Sequence, residues 1–248
     1  MKNTFAILSG KGGAGKTILA VNIAVGFSEK KGRTLLVDAD FGLPNSHIMM
    51  GLNPTRTVED FILDNCSFKE AVEDVSPTLS ILAGKSGSAP LLNLSQDNGQ
   101  KIWHGIRSVE TEFDYVVIDN SACAENHTMS FSCNNSNLII SLVDLPTNFL
   151  DAYSTIKIAN QEHNIKDFHI CINQCNSFTG AQKIFQKFDK ITTRFLDVSL
   201  ELVGLLPKST VIESSVSDRL PFYNNKKNRE YSFIDNIIKN LDSDMIQK

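Results

Sequence analysis

The run Gly10-Lys11-Gly12-Gly13-Ala14-Gly15-Lys16-Thr17 constrains this chain more than any other stretch. It fits G-x-x-x-x-G-K-[ST]. An apolar, strand-like segment at residues 4–9 precedes it. A helical segment at residues 16–30 follows, with Leu19, Ala20, Ile23, Ala24 and Phe27 on one face. Glycines in such a turn let backbone N–H groups converge on phosphate oxygens, and the helix adds the positive end of its dipole. In this pattern Lys16 reaches the β- and γ-phosphates of a nucleoside triphosphate, and the Thr17 hydroxyl ligates Mg²⁺. Residues Gly10 to Ile18 are therefore the expected nucleotide cradle.

Further apolar runs lie at residues 34–38, 79–83, 115–119, 138–143, 168–172 and 202–206. None shows a polar face, which is how strands of a parallel sheet covered on both sides read. Helical segments separate them. One starts near Thr57, with Asp60 three residues on. Another starts at Ser67, with Glu70 completing a capping box, and a third starts at Ser95 and runs to about Glu112. No Pro/Gly-rich linker, repeat or low-complexity stretch interrupts the 248 residues, and 42% are hydrophobic, enough for a large core. The expectation is one α/β domain over residues 1–248, with a doubly wound, mostly parallel sheet and helices on both faces.

The net charge of −4 argues against nucleic acid, since the cations form no long basic run, only short groups such as Lys226, Lys227 and Arg229. Five cysteines, an odd number without Cys-x-x-Cys, read as reduced thiols of a cytoplasmic chain. The N-terminus runs straight into a strand, without the apolar stretch of a secretory signal. No apolar run is long enough to span a bilayer.

In open α/β sheets, ligands sit at the carboxyl ends of strands. Asp38 and Asp40 follow the second apolar run, and Asp119 ends a later one. Carboxylates at these ends can hold Mg²⁺ or orient an attacking water. The alternative for each is a strand-ending aspartate that caps a turn.

Ser9-Gly10-Lys11-Gly12-Gly13-Ala14-Gly15-Lys16-Thr17 resembles the deviant phosphate loop of the MinD/ParA ATPases. The resemblance implies an ATP-dependent homodimer in which Lys11 crosses to the partner's nucleotide and neutralises transition-state charge in trans. It also implies that Asp40 positions the hydrolytic water, and that Asp38 and Asp119 serve the Mg²⁺ site with Thr17. The catalytic set is thus Lys11, Lys16 and Asp40. Where relatives read Asp-Thr-Gly-Ala-Gly, this chain reads Asp119-Asn120-Ser121-Ala122-Cys123. Fewer glycines there leave fewer backbone donors to follow the γ-phosphate, so slow hydrolysis is expected.

A GTPase would carry Asn-Lys-x-Asp at a late strand end, whereas this chain has Asn173-Gln174-Cys175-Asn176. Adenine, and hence ATP/ADP, fits better. The resemblance puts Asn173 on the base and the segment after Pro207 on its other side.

Within the MinD group the chain is similar to the FlhG-type flagellar-number ATPases. Four segments carry that likeness: 38–45 with 50–52, 84–87 with 91–95, 146–157, and 203–207 with 219–222. The branch implies a regulatory partner, a FlhF-like GTPase or a flagellar component. Its usual N-terminal Asp-Gln-Ala element has no counterpart before the strand at residue 4. The C-terminal segment 228–248 is expected to be an amphipathic helix, with Ile234, Ile237, Ile238, Leu241 and Met245 on one face. It either packs on the body or docks on a membrane surface, although Asp235, Asp242 and Asp244 dilute the charge that anionic lipid attracts. Two other uses of the scaffold stay open: ParA-like DNA partitioning, and nucleotide binding with degenerate hydrolysis.

Overall fold

A computed structural model describes residues 3–85, 95–121, 131–133 and 136–247, with side chains up to residue 242. Ser86, Gly87, residues 91–94, Ala122, Cys123 and the Met245 side chain lie outside the described residues. The described strands are β1 (Thr4–Leu8), β2 (Thr34–Ala39), β3 (Val72–Ser76), β4 (Leu79–Leu82), β5 (Tyr115–Asn120), β6 (Asn137–Val143), β7 (Asp167–Cys175) and β8 (Ser199–Pro207). They form one sheet in the order β3-β4-β2-β5-β1-β6-β7-β8, parallel throughout except for the β3–β4 pair.

Alternate residues of the central strands feed two cores, which is why the strands read as apolar on both faces. On one side Phe5, Ile7, Leu36, Val117 and Ile139 meet Leu19, Ile23 and Phe27 of the helix Lys16–Lys30. On the other, Ala6, Leu8, Val37, Val116 and Ile118 meet Trp103 and Ile106 of Gln96–Ser108, Ile156 of Pro146–His163, and Phe188 of Phe178–Phe195.

The three expected caps are present. Thr57 N–H donates to Asp60 Oδ2 at 2.9 Å, Ser67 N–H to Glu70 Oε2 at 2.8 Å, and Asn98 N–H to Ser95 Oγ at 3.1 Å. The helix after Ser95 ends at Ser108 rather than near Glu112. A turn follows, and the Asp114 and Tyr115 amides then both donate to the Arg33 carbonyl, delivering the chain to β5. The antiparallel edge strand Val72–Ser76 carried no apolar pattern. Its Glu73 and Asp74 leave a charged edge, which discourages pairing with another sheet.

The helix Tyr231–Gln247 lays Ile234, Ile237, Ile238 and Leu241 into the core beside Lys16–Lys30, each at most 2% exposed. Asp235 pairs with Lys30 and accepts a hydrogen bond from the Tyr223 hydroxyl, and Asp242 pairs with Lys31 at 2.5 Å. Two of the acidic residues that dilute a lipid-binding face, Asp235 and Asp242, thus fasten the helix to the body, and the Asp244 side chain lies outside the described residues. Among the described residues no helix is long and apolar enough to cross a membrane.

Candidate nucleotide and cation site

The glycine-rich loop leaves the C-terminal end of β1, between β5 and β6, where the strand order reverses and α/β sheets open a crevice. Gly15 caps the helix Lys16–Lys30 in the left-handed region, at φ 76°, and a Cβ there would lie 2.1 Å from Asn173 Nδ2. Gly10 passes so close to Asp151 that a Cβ would sit 2.2 Å from its backbone carbon. The fold therefore demands glycine at both ends of the loop on steric grounds alone.

Side chains from β6 and β7 brace the loop from behind. Ser141 Oγ donates to the Ala14 carbonyl at 2.6 Å and Asn173 Nδ2 to the same oxygen at 2.8 Å. Gln174 Nε2 donates to the Gly13 carbonyl at 3.0 Å. Asn173 Oδ1 in turn accepts the Gln174 amide at 2.8 Å, with Gln174 itself left-handed at φ 54°. The structure gives Asn173 a loop-bracing role that no motif announced. Pro207 ends β8 opposite Cys175, and the Lys208 amide donates to the Cys175 carbonyl at 3.0 Å, so the segments after Asn173 and Pro207 run side by side. Lys11 is exposed at the loop's rim, Lys16 is buried, and Ile18 is half-buried at the first turn of the helix.

Beside the loop, Asp38 and Asp119 are register partners at the ends of β2 and β5, and both are fully buried. Asp38 Oδ1 accepts the Asp40 amide at 3.3 Å and Oδ2 accepts the Ser46 amide at 3.0 Å. The Ser46 hydroxyl donates to Asp119 Oδ2 at 2.8 Å, while Asp119 Oδ1 finds no hydrogen-bond partner among the described residues. Burial and the neighbouring Asp38 charge push the Asp119 carboxyl up to about 7, against the opposing pull of Thr17, Ser46 and Lys16. Burial also raises Asp38, against the pull of His47, whose Nδ1 lies 3.9 Å from Oδ2. A buried pair of like charges with one unsatisfied oxygen, beside a threonine hydroxyl, fits a hard divalent cation with oxygen ligands.

Asp40 is half-buried on the loop that follows, its Oδ1 accepting the Leu43 amide at 3.2 Å. Asn120, next to Asp119 on β5, is buried. Its amide donates to the Ile7 carbonyl at 3.2 Å and its Oδ1 accepts from Ser132 at 2.5 Å. Ser46, Ser141 and Gln174 are the site residues that sequence reading passed over. They belong to no spacing pattern, and only the fold brings them to the loop and the carboxylates.

Residues 5–222 match the family described as the CobQ/CobB/MinD/ParA nucleotide binding domain. Antiactivator FleN of Pseudomonas aeruginosa is 30% identical over 218 residues, covering 88% of this chain and 78% of that protein. Flagellum site-determining protein YlxH of Helicobacter pylori is 24% identical, covering 86% and 72% respectively. Among solved structures, the cell division ATPase MinD of Pyrococcus furiosus superposes with a TM-score of 0.80 at 17% identity, over 98% of this chain and 99% of that one. A septum site-determining MinD of Pyrococcus horikoshii, complexed with Mg-ADP, gives 0.78 at 19%, over 98% and 96%. With a braced glycine-rich loop, buried carboxylates at the adjoining strand ends and a family match over most of its length, the chain belongs to the MinD/ParA group of nucleotide-binding proteins.

Proposed function

We propose that the chain is one domain acting as an ATP-dependent dimerising switch that regulates the number or placement of flagella. The observation that carries the nucleotide part is the loop itself. Ser141, Asn173 and Gln174 fix the Gly13 and Ala14 carbonyls, and a glycine-rich turn braced in this way can aim backbone N–H groups at phosphate oxygens. Lys16 supplies fixed charge to the β- and γ-phosphates. Thr17, Asp38 and Asp119 hold Mg²⁺, which when bound neutralises phosphate charge. Asp40 orients a water for attack on the γ-phosphorus, with ADP leaving. Lys11, exposed at the rim, serves the nucleotide of a second copy. Asn173 contacts the base, and the segment after Pro207 lines its other side. The flagellar part of the reading rests on the likeness to FleN and YlxH.

A switch needs a long-lived ATP state, so slow basal turnover belongs to this reading, with a partner supplying what the altered Asp119–Cys123 segment lacks. One surface suits a protein partner. The helices Pro146–His163 and Phe178–Phe195 flank an apolar groove of about 580 Å³, lined by Phe149, Leu150, Tyr153, Phe188, Ile191 and Phe195. Beside it run Lys183, Lys187, Lys190 and Arg194, all exposed and without ion pairs among the described residues. Asp144 and Lys187 also line the groove, so its margin carries both signs of charge, and its apolar floor suits the apolar face of an amphipathic helix. Size-exclusion chromatography with ADP and with ATP, alongside a steady-state ATPase assay, tests the switch. A dimer with ATP alone and slow turnover are expected. Turnover of several per second without a partner would overturn it.

A further inference from the structure

Ser46 stands at the junction of the two carboxylates and the loop that carries Asp40. It opens the short helix Ser46–Met49, is fully buried, and grips both acids at once. Its amide donates to Asp38 Oδ2 at 3.0 Å and its hydroxyl to Asp119 Oδ2 at 2.8 Å. A serine hydroxyl has one proton to donate, and here it is spent on the carboxylate.

Every carboxylate oxygen of the pair but one is thereby committed. Both Asp38 oxygens accept backbone amides, from Asp40 at 3.3 Å and from Ser46 itself. Asp119 Oδ2 is held by the Ser46 hydroxyl, and Asp119 Oδ1 is the buried acceptor without a hydrogen bond among the described residues. Ser46 thus holds one Asp119 oxygen and leaves the other presented, with the Thr17 hydroxyl as a second neighbour of the same carboxyl. The Asp38 carboxylate also closes the 40–46 loop by taking the amides at its two ends. The Ser46 hydroxyl thereby ties that loop to the Asp119 carboxylate.

We propose that Ser46 is a positioning residue of the cation site: it presents Asp119 to Mg²⁺ and couples that presentation to the Asp40 loop. The inference rests on the Mg²⁺–nucleotide reading above, and deepens it by naming what sets cation affinity. Partners that orient ligating carboxylates typically contribute about 10–100-fold to metal affinity.

The test is titration calorimetry of ADP binding to the full chain, with excess Mg²⁺ and with EDTA, for the parent, Ser46→Ala and Ser46→Thr. The parent is expected to bind ADP more tightly with Mg²⁺. Ser46→Ala is expected to keep the EDTA affinity within about twofold and to lose roughly tenfold or more of the Mg²⁺ enhancement. Ser46→Thr, which restores a hydroxyl, is expected to recover most of it. If Ser46→Ala does not fold, Ser46→Cys, with a similar shape and only a weak S–H donor, carries the same expectation. An unchanged Mg²⁺ enhancement in the hydroxyl-free variant overturns the proposal. So does an equal loss of ADP affinity with and without Mg²⁺, which marks a general structural role. A parent with no Mg²⁺ enhancement overturns both this inference and the cation reading beneath it, a pattern distinct from the other two.

Discussion

Asp38 and Asp119 face one another across neighbouring parallel strands, both fully buried, and they share one neighbour, Ser46, that donates to each. With the Asp119 carboxyl raised from 3.8 to about 7, the folded protein keeps a proton that the unfolded chain has lost in that window. Metal-free stability therefore falls as pH rises from about 4 to about 7, and the full penalty stands above it. Asp119→Asn removes the charge. It is expected to raise the melting temperature of the metal-free protein at pH 8 by on the order of a few degrees, with little change near pH 4. Mg²⁺ binding with nucleotide should release protons below pH 7 and strengthen as pH rises to that point. Calorimetry in buffers of different ionisation enthalpy measures this, and proton release that does not depend on pH would contradict it.

Lys16, Asp40 and Lys11 are expected to fail in three different ways. Lys16→Ala should lose at least about tenfold in ATP affinity, because the phosphates lose a charged donor. Asp40→Ala should bind ATP normally, slow hydrolysis by about 100-fold or more, and accumulate as an ATP dimer. Lys11→Ala should bind ATP and stay monomeric. Calorimetry, phosphate release and light scattering separate the three outcomes. Parental hydrolysis in Asp40→Ala, or a normal ATP dimer in Lys11→Ala, would remove that residue from its role.

The loop's glycines differ in what they tolerate. A Cβ at Gly15 collides with Asn173 and adopts φ 76°, whereas a Cβ at Gly12 meets nothing within 4 Å. Gly15→Ala is expected to cost about 1–3 kcal/mol of stability and Gly12→Ala close to none, as read by denaturant melts without nucleotide. Equal melts would mean that Asn173 does not hold the loop where the structure shows it.

The C-terminal helix is expected to behave as core. Ile238, 2% exposed between the first helix and the sheet, should cost about 2–4 kcal/mol when cut to alanine, lowering the melting temperature by roughly 5–15 °C. A helix that kept this face for a bilayer would leave the melting temperature unmoved and show its loss in vesicle sedimentation instead.

Local chemistry made much of this protein legible in its sequence. The spacing of Gly10, Gly15, Lys16 and Thr17 is a stereochemical requirement of a strand–turn–helix that binds phosphate, so it can be read without neighbours. Apolar runs without a polar face announced a parallel sheet, and Asp38 and Asp119 stood out because strand ends are where such sheets hold ligands. Tertiary structure alone decided the rest, because it depends on groups far apart in the chain. Ser141, Asn173 and Gln174 reach the Gly13 and Ala14 carbonyls across separations of 127 to 161 residues, and Ser46 reaches Asp119 across 73. No spacing rule encodes such contacts. The C-terminal helix shows the same division. Its periodicity revealed an apolar face, but only the packed structure, with Asp235 on Lys30 and Asp242 on Lys31, decided that the protein's own core covers it.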